Sequence, residues 1–199
     1  MARPYTKPVP HLRRKAGSGP NLLNNRPRSK PPLHTLRFDG WKLNIHFSAA
    51  HCIPYHEKCE RLHGHHYAVH LELEGELDAK TGWVMDFTPV KKHLKAIADE
   101  LDHRVIVPTA PGLVTHELQK GSVVMGIMDK RYVFPKEDCV LVPIPTSTAE
   151  HLAGWILKQL SSKVAFPDNV HTVRVGVDEG YGQGAWTEWR RLGTGAGKT

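Results

Sequence analysis

Five of the 14 histidines in this 199-residue chain fall within sixteen residues: His51, His56, His63, His65 and His66. His63 and His65 are two apart. On a β-strand, positions i and i+2 point to one face, so both imidazoles can converge on one point. His51 lies twelve residues upstream, after a run (Leu43, Ile45, Phe47) that alternates like a strand. If the two segments pair, His51 supplies a third nitrogen. Three histidines, with no fourth protein ligand spaced to close the site, describe a catalytic zinc: tetrahedral, with one position open to water or substrate. Gly64 lets backbone approach closely between the pair. Cys59, four residues before His63, is a thiol free for chemistry. A lone His-x-His is ordinarily a surface or core pair; the clustering carries the metal reading.

The elements that must position these side chains follow from periodicity. Residues 36–48 read as a first strand through Leu36, Phe38, Trp41, Leu43, Ile45 and Phe47, and 49–62 as a loop holding Pro54. From His65, Tyr67, Val69, Leu71 and Leu73 share one face, while His66, His70, Glu72 and Glu74 take the other, the pattern of an antiparallel strand with one buried side. His65 has the parity of the apolar set, so a twist or bulge near Gly64 is expected to turn the ligands toward a cleft. Thr88-Pro89 opens a helix with Thr as N-cap and Pro at its first position. Val90, Leu94, Ile97, Ala98 and Leu101 form its apolar stripe, and it ends at Leu101-Asp102-His103. Pro108, Pro111 and Gly112 then break structure. Ser122–Met128 and Arg131–Phe134 read as a hairpin around Asp129-Lys130, followed by an apolar run at Cys139–Ile144. A second helix from a Thr148 cap to Ser162 places Leu152, Ala153, Ile156 and Leu160 inward, and strands at about 170–179 and 184–192 flank Gly180–Gly184. The order fits an α+β domain with helices on one face of an antiparallel sheet.

Composition bounds the rest. The chain is 40% hydrophobic, with no apolar run near the ~18 residues of a membrane span. Its N-terminus has no apolar signal-peptide region. Three cysteines (Cys52, Cys59, Cys139) suit a reducing cytoplasm rather than a disulfide scaffold. The net charge of +7 sits almost wholly in residues 1–36, which hold eight Lys or Arg and no Asp or Glu. This Pro-rich extension cannot bury enough apolar surface to fold alone. It could meet RNA by counterion release; a solvated arm, or one draped over a neighbouring subunit, explains it as well. Residues 37–193 read as a single catalytic domain with an insertion near 107–145, and 194–199 as a flexible tail.

Phe47-Ser48-Ala49-Ala50-His51 followed by Cys59-x-x-x-His63-Gly64-His65-x-Tyr67 resembles the 6-pyruvoyltetrahydropterin synthase superfamily, and the short Cys-to-His spacing its 6-carboxytetrahydropterin synthase branch. Gly82-Trp83-Val84-Met85-Asp86-Phe87, Leu101-Asp102-His103-Arg104, Thr148-Ala149-Glu150-His151-Leu152-Ala153 and Val177-Asp178-Glu179-Gly180 follow in the family's order. The likeness covers about residues 38–192. It implies the tunnelling fold: an antiparallel sheet with two helices on one face, in the order strand pair, helix, helix, strand pair, here with an inserted hairpin. It also implies a homo-oligomer of stacked trimers, with active sites at subunit interfaces.

The implied reaction converts 7,8-dihydroneopterin triphosphate to 6-carboxy-5,6,7,8-tetrahydropterin, acetaldehyde and triphosphate. Zinc would sit on His51, His63 and His65, with Cys59 as base and Asp102 and His103 as its relay partners. Glu179 would anchor the pterin by paired hydrogen bonds, and Thr148 would help hold the same ring. On the residues alone, Asp102-His103 is a helix C-terminus whose His offsets the dipole, and Thr148 is a cap. Glu60 leaves a choice open. Some relatives put a glutamate three before the first paired His, lack the cysteine, and cleave the same substrate to 6-hydroxymethyl-7,8-dihydropterin. This chain carries both, so Glu60 is either a second base or a solvated loop charge beside Lys58 and Arg61. 6-Pyruvoyltetrahydropterin is a third possible product, and the queuosine and archaeosine pathways are both compatible. A reading of another class, an RNA-binding protein with a structural zinc, rests on the basic extension.

Overall fold

The spine of the computed structural model, which describes residues 30–192, is the thirteen-residue strand β3 (His63–Gly75), hydrogen-bonded along both edges. The expectations placed on the basic extension as far as residue 29, and on the tail from 193, lie outside the described residues. On one edge β3 carries β1 (His34–Phe38) along its C-terminal half and β2 (His46–His51) along its N-terminal half, both antiparallel. The single strand expected over 36–48 is therefore two collinear pieces, the first starting at His34, inside the stretch read as extension. Between them the chain loops out, its Leu43 and Ile45 amides donating to the Asp39 and Gly40 carbonyls at 2.9 Å. Gly40 is what permits it: a Cβ there would lie 2.3 Å from the Val69 carbonyl oxygen.

The other edge of β3 pairs antiparallel with β9 (Val170–Glu179), and β9 with β10 (Gly184–Arg190). Beyond β2 the sheet continues with β4 (Arg104–Pro108) and β8 (Cys139–Val142), giving the order β10-β9-β3-β2-β4-β8. These last two pairings are parallel, so the sheet is mixed rather than antiparallel throughout. The reason is topological: parallel neighbours need long crossovers, which a helix and the insertion supply. Among the described residues the sheet does not close on itself, and β10 and β8 are left as edges.

Helices α1 (Phe87–Leu101) and α2 (Ala149–Lys163) pack on one face of the sheet. Val90, Leu94, Ile97, Ala98 and Leu101 of α1, and Leu152, Ala153, Ile156 and Leu160 of α2, are the inward residues that the periodicity predicts. They meet Phe47, Tyr67, Val69, Leu71, Leu73, Val173, Val175 and Val177, all fully buried. At about 1.5–3 kcal/mol for each large aliphatic or aromatic side chain, this layer is the main source of stability. The cap of α1 is not Thr88 but Asp86, whose Oδ1 accepts the Thr88 amide at 2.8 Å, so the helix begins two residues earlier, at Phe87. An acidic side chain at this place also suits the positive end of the helix dipole.

The insertion is larger than a hairpin. The expected pair, β6 (Ser122–Ile127) and β7 (Lys130–Pro135), is joined by β5 (Val114–Gln119) into a three-stranded antiparallel sheet. Val114, Val123, Met125 and Ile127 from one face make a second apolar cluster with Cys52, Val107 and Cys139. No helix among the described residues is long and apolar enough to cross a membrane.

Candidate active site

The three histidines converge because two neighbouring strands begin and end together. His51 closes β2 directly opposite His63, which opens β3, and Ala49 stands opposite His65. The pairing runs through Gly64 without the expected bulge; along β3 the register shifts only at Glu74–Gly75. No bulge is needed, because the parity of His63 and His65 with Tyr67, Val69 and Leu71 is the answer. The core face of the strand runs on past the end of the helix layer, and its last positions line a cleft instead of a core. The ring centroids lie 4.6, 5.2 and 5.0 Å apart, and one ligand nitrogen from each histidine falls within 4.8 Å of the others. Among the described residues no other group of acidic, thiol or imidazole side chains converges this way.

Backbone carbonyls decide which nitrogen each ring leaves free. His51 Nδ1–H donates to the Ser147 carbonyl at 2.9 Å, and His63 Nδ1–H to the Arg61 carbonyl at 2.7 Å. A carbonyl can only accept, so both rings carry their proton on Nδ1 and turn a bare Nε2 to the centre, the arrangement that holds metal-binding histidines in place. His63 Nε2 is buried and has no hydrogen-bond partner. An unpaired buried nitrogen is costly, and a divalent cation would satisfy it. Burial pushes the His51 imidazole down to about 4, against the pull of the Ser147 carbonyl and helped by His63 and His65. Burial, then His63, lowers His65 too. Neutral rings are what a metal requires. The three residues thus fit zinc.

Beside this triad lies a cleft of about 260 Å³ whose walls include Cys59, His56, Thr148, Glu150, Glu179 and Gln183. Glu179, the last residue of β9, pairs across to Tyr67. Burial raises the Glu179 carboxyl above its ordinary value, with Glu150 adding to the shift and His63 opposing it. Thr148 precedes α2, but its hydroxyl does not cap the helix; it lies 3.1 Å from His151 Nδ1. Tyr67 was not singled out by spacing, although its parity with His63 and His65 was the available signal. It is fully buried, and its hydroxyl lies 3.3 Å from His51 Nε2. Burial, and then the Glu179 charge, drives its pKa upward, so it stays a neutral phenol.

Two expected partners are placed elsewhere. Asp102 and His103 do not join Cys59 within the chain; His103 lines a separate, open concavity of about 500 Å³ with Ser48, Gly64, His66 and Arg104. The pair is preformed there. Asp102 accepts the Ser48 amide at 2.7 Å and the His103 Nδ1–H at 2.9 Å. Burial works against the Asp102 charge, but these hydrogen bonds outweigh it and hold the carboxyl below its usual range. His66 also faces away from the triad, bonded to Ser48 Oγ at 2.9 Å. Glu60 is absent from the walls of the Cys59 cleft and pairs with Lys130 of the inserted sheet at 3.1 Å.

The sequence model of 6-pyruvoyl tetrahydropterin synthase matches residues 41–190 of the chain. The chain belongs to this family. A Methanocaldococcus jannaschii relative named "Putative 6-carboxy-5,6,7,8-tetrahydropterin synthase" is 37% identical over 153 residues, 75% of this chain and 93% of that one. A Pyrococcus furiosus family relative named dihydroneopterin monophosphate aldolase is 31% identical over 143 residues, 72% and 91% of the two chains. The solved 6-pyruvoyl tetrahydropterin synthase of Plasmodium vivax superposes with a TM-score of 0.73 at 29% identity, over 80% of this chain and 99% of its own. That family member has also been solved as variants of a catalytic glutamate.

Proposed function

We propose that the protein is a zinc-dependent lyase that converts 7,8-dihydroneopterin triphosphate to 6-carboxy-5,6,7,8-tetrahydropterin, releasing acetaldehyde and triphosphate. The observation that carries this is the placement of a thiol, Cys59, and a half-buried carboxylate, Glu179, in one cleft beside three converging histidines, two of which donate Nδ1–H to backbone carbonyls. The relative named a 6-carboxy-5,6,7,8-tetrahydropterin synthase supports the choice of product. When bound at His51, His63 and His65, zinc supplies Lewis acidity toward side-chain oxygens of the substrate. Glu179 accepts the paired N–H groups of the pterin, and its partial burial makes that charged pairing strong. Thr148, on the same wall, steadies the ring. Cys59 takes and returns the proton that moves between carbon and oxygen. Asp102 keeps the Nδ1 proton of His103 in place and leaves Nε2 outward. The relay reaches Cys59 from a second copy of the chain, in an oligomer whose sites lie between subunits.

A second reading is favoured by the aldolase relative and by the catalytic glutamate of the Plasmodium protein. In it Glu60 is the base, and the same substrate gives 6-hydroxymethyl-7,8-dihydropterin. Against it stands the Lys130 ammonium, which occupies the Glu60 carboxylate. The deciding experiment is product analysis with 7,8-dihydroneopterin triphosphate on purified protein of known metal content. The expected result is about one zinc per chain and the 6-carboxy product, both lost in His63→Ala. A wild-type protein that binds zinc but yields none of the carboxy product would overturn the proposal.

A further inference from the structure

The loop joining β2 to β3 carries both candidate bases and is held in an unfavourable backbone. Tyr55 and Glu57 sit at φ of 61° and 27°, a region that non-glycine residues seldom occupy. Such a conformation persists where the surroundings over-determine it, and much of what surrounds this loop is the inserted sheet. At its base, Cys52 is buried in one cluster with Val123, Met125 and Ile127, and Tyr132 packs against that cluster. At its far end, Lys130 Nζ, the first residue of β7, meets Glu60 Oε2 at 3.1 Å, with the two side chains 32% and 22% exposed. The hydrogen bond that Lys130 donates to Glu60 is the largest influence on the lysine and raises its proton affinity, so the ammonium is kept charged. Cys59 lines the cleft beside the histidines and Glu60 does not.

On the basis of the proposed function, we propose that Lys130 is a specificity-determining positioning residue. By pairing with Glu60 it holds the carboxylate out of the cleft and braces the loop, leaving Cys59 as the base and selecting the 6-carboxy product over 6-hydroxymethyl-7,8-dihydropterin. The suppressed reaction is a retro-aldol cleavage. A base takes the proton of the side-chain 2′-hydroxyl, and the C1′–C2′ bond breaks with its electron pair moving into the C6=N5 system of the ring. C1′ then regains a proton, so no further reactant is needed. A carboxylate freed from its ammonium is suited to that first proton transfer. The insertion, on this account, is the part of the chain that sets the product.

The test compares wild type, Lys130→Met, Lys130→Arg and the double variant Lys130→Met/Glu60→Gln, all full-length and zinc-loaded. The pair lies outside the helix-covered core, so all four are expected to fold. Both pterin products are quantified from 7,8-dihydroneopterin triphosphate, and amide hydrogen exchange is followed across residues 53–62. Lys130→Met should raise the ratio of hydroxymethyl to carboxy product by about tenfold or more and speed exchange in the loop but not in β3. Lys130→Arg should keep the wild-type ratio, and the double variant should return to it. An unchanged ratio in Lys130→Met, or an equal shift in the double variant, would overturn the role assigned to Glu60 release. A wild type that forms neither product sinks the reaction itself, and with it the product choice. Loop exchange would still read the brace, and exchange unaltered by Lys130→Met would overturn that as well.

Discussion

In the proposed reaction, Glu179 carries the pairing with the pterin ring. Two parallel N–H groups need two acceptors, which a carboxylate offers and an amide does not. Glu179→Gln keeps the shape but turns one acceptor into a donor. Hydrogen bonds to charged groups contribute ~1.5–3 kcal/mol each, so KM for the pterin substrate should rise by roughly 100-fold while zinc content stays the same. Steady-state kinetics with metal analysis would check this, and an unchanged KM would remove Glu179 from the pterin site.

His51 gives a second expectation at this scale. Its folded value of about 4 lies below the value of about 6.5 for an unfolded histidine, so between these limits the unfolded chain binds the extra proton. The metal-free protein should therefore keep its stability above about pH 6.5 and lose on the order of 3 kcal/mol as the pH falls to about 4. Urea unfolding of chelator-treated protein at pH 7 and pH 5 would show it. A midpoint that does not move over that range would mean that the imidazole is not buried as described.

At the scale of elements, α1 separates what a local pattern can and cannot reveal. Its apolar stripe was legible because 3.6-residue spacing is a property of the chain itself. Its cap was misread, since Thr88 and Asp86 are both good capping residues and only the backbone path decides which one meets a free amide. Asp86→Ala should cost about 1 kcal/mol, and Thr88→Ala clearly less, measured as the shift in unfolding midpoint. The reverse order would restore the Thr88 cap. The strand break at Asp39–Asn44 is similar. Apolar residues at Trp41 and Leu43 continued the alternation across it, although Leu43 is 42% exposed, and they masked Asp39-Gly40, a turn pair. In β3 the alternation was right, but its meaning changed along the strand: the same face is core at Leu71 and candidate metal site at His63.

For the whole molecule, the separation of Cys59 from Asp102 and His103 is the feature with the most direct consequence. Both groups are ordered within one chain, in different concavities, so a relay between them requires a second copy. Mixing inactive Cys59→Ala with inactive His103→Ala, under conditions where subunits exchange, should restore about a quarter of the wild-type turnover, because about one interface in four then joins an intact thiol to an intact imidazole. No recovery on exchange would place the relay within one subunit or remove His103 from the reaction.

The amino-acid sequence by itself determined the α+β class, the two helix stripes, the outer strand pair and the identity of the three histidines. All of these are set by residue type and short-range period, which fold context modifies little. Tertiary structure alone decided the parallel sense of β4 and β8, the third strand of the insertion, the Ser147 and Arg61 carbonyls that orient the imidazoles, and the pairing of Glu60 with Lys130, seventy residues apart. Apart from Arg61, two residues before His63, and the tight β5–β6 turn, these join groups distant in sequence, where no spacing rule operates and only the packed position of the backbone brings a donor to its acceptor.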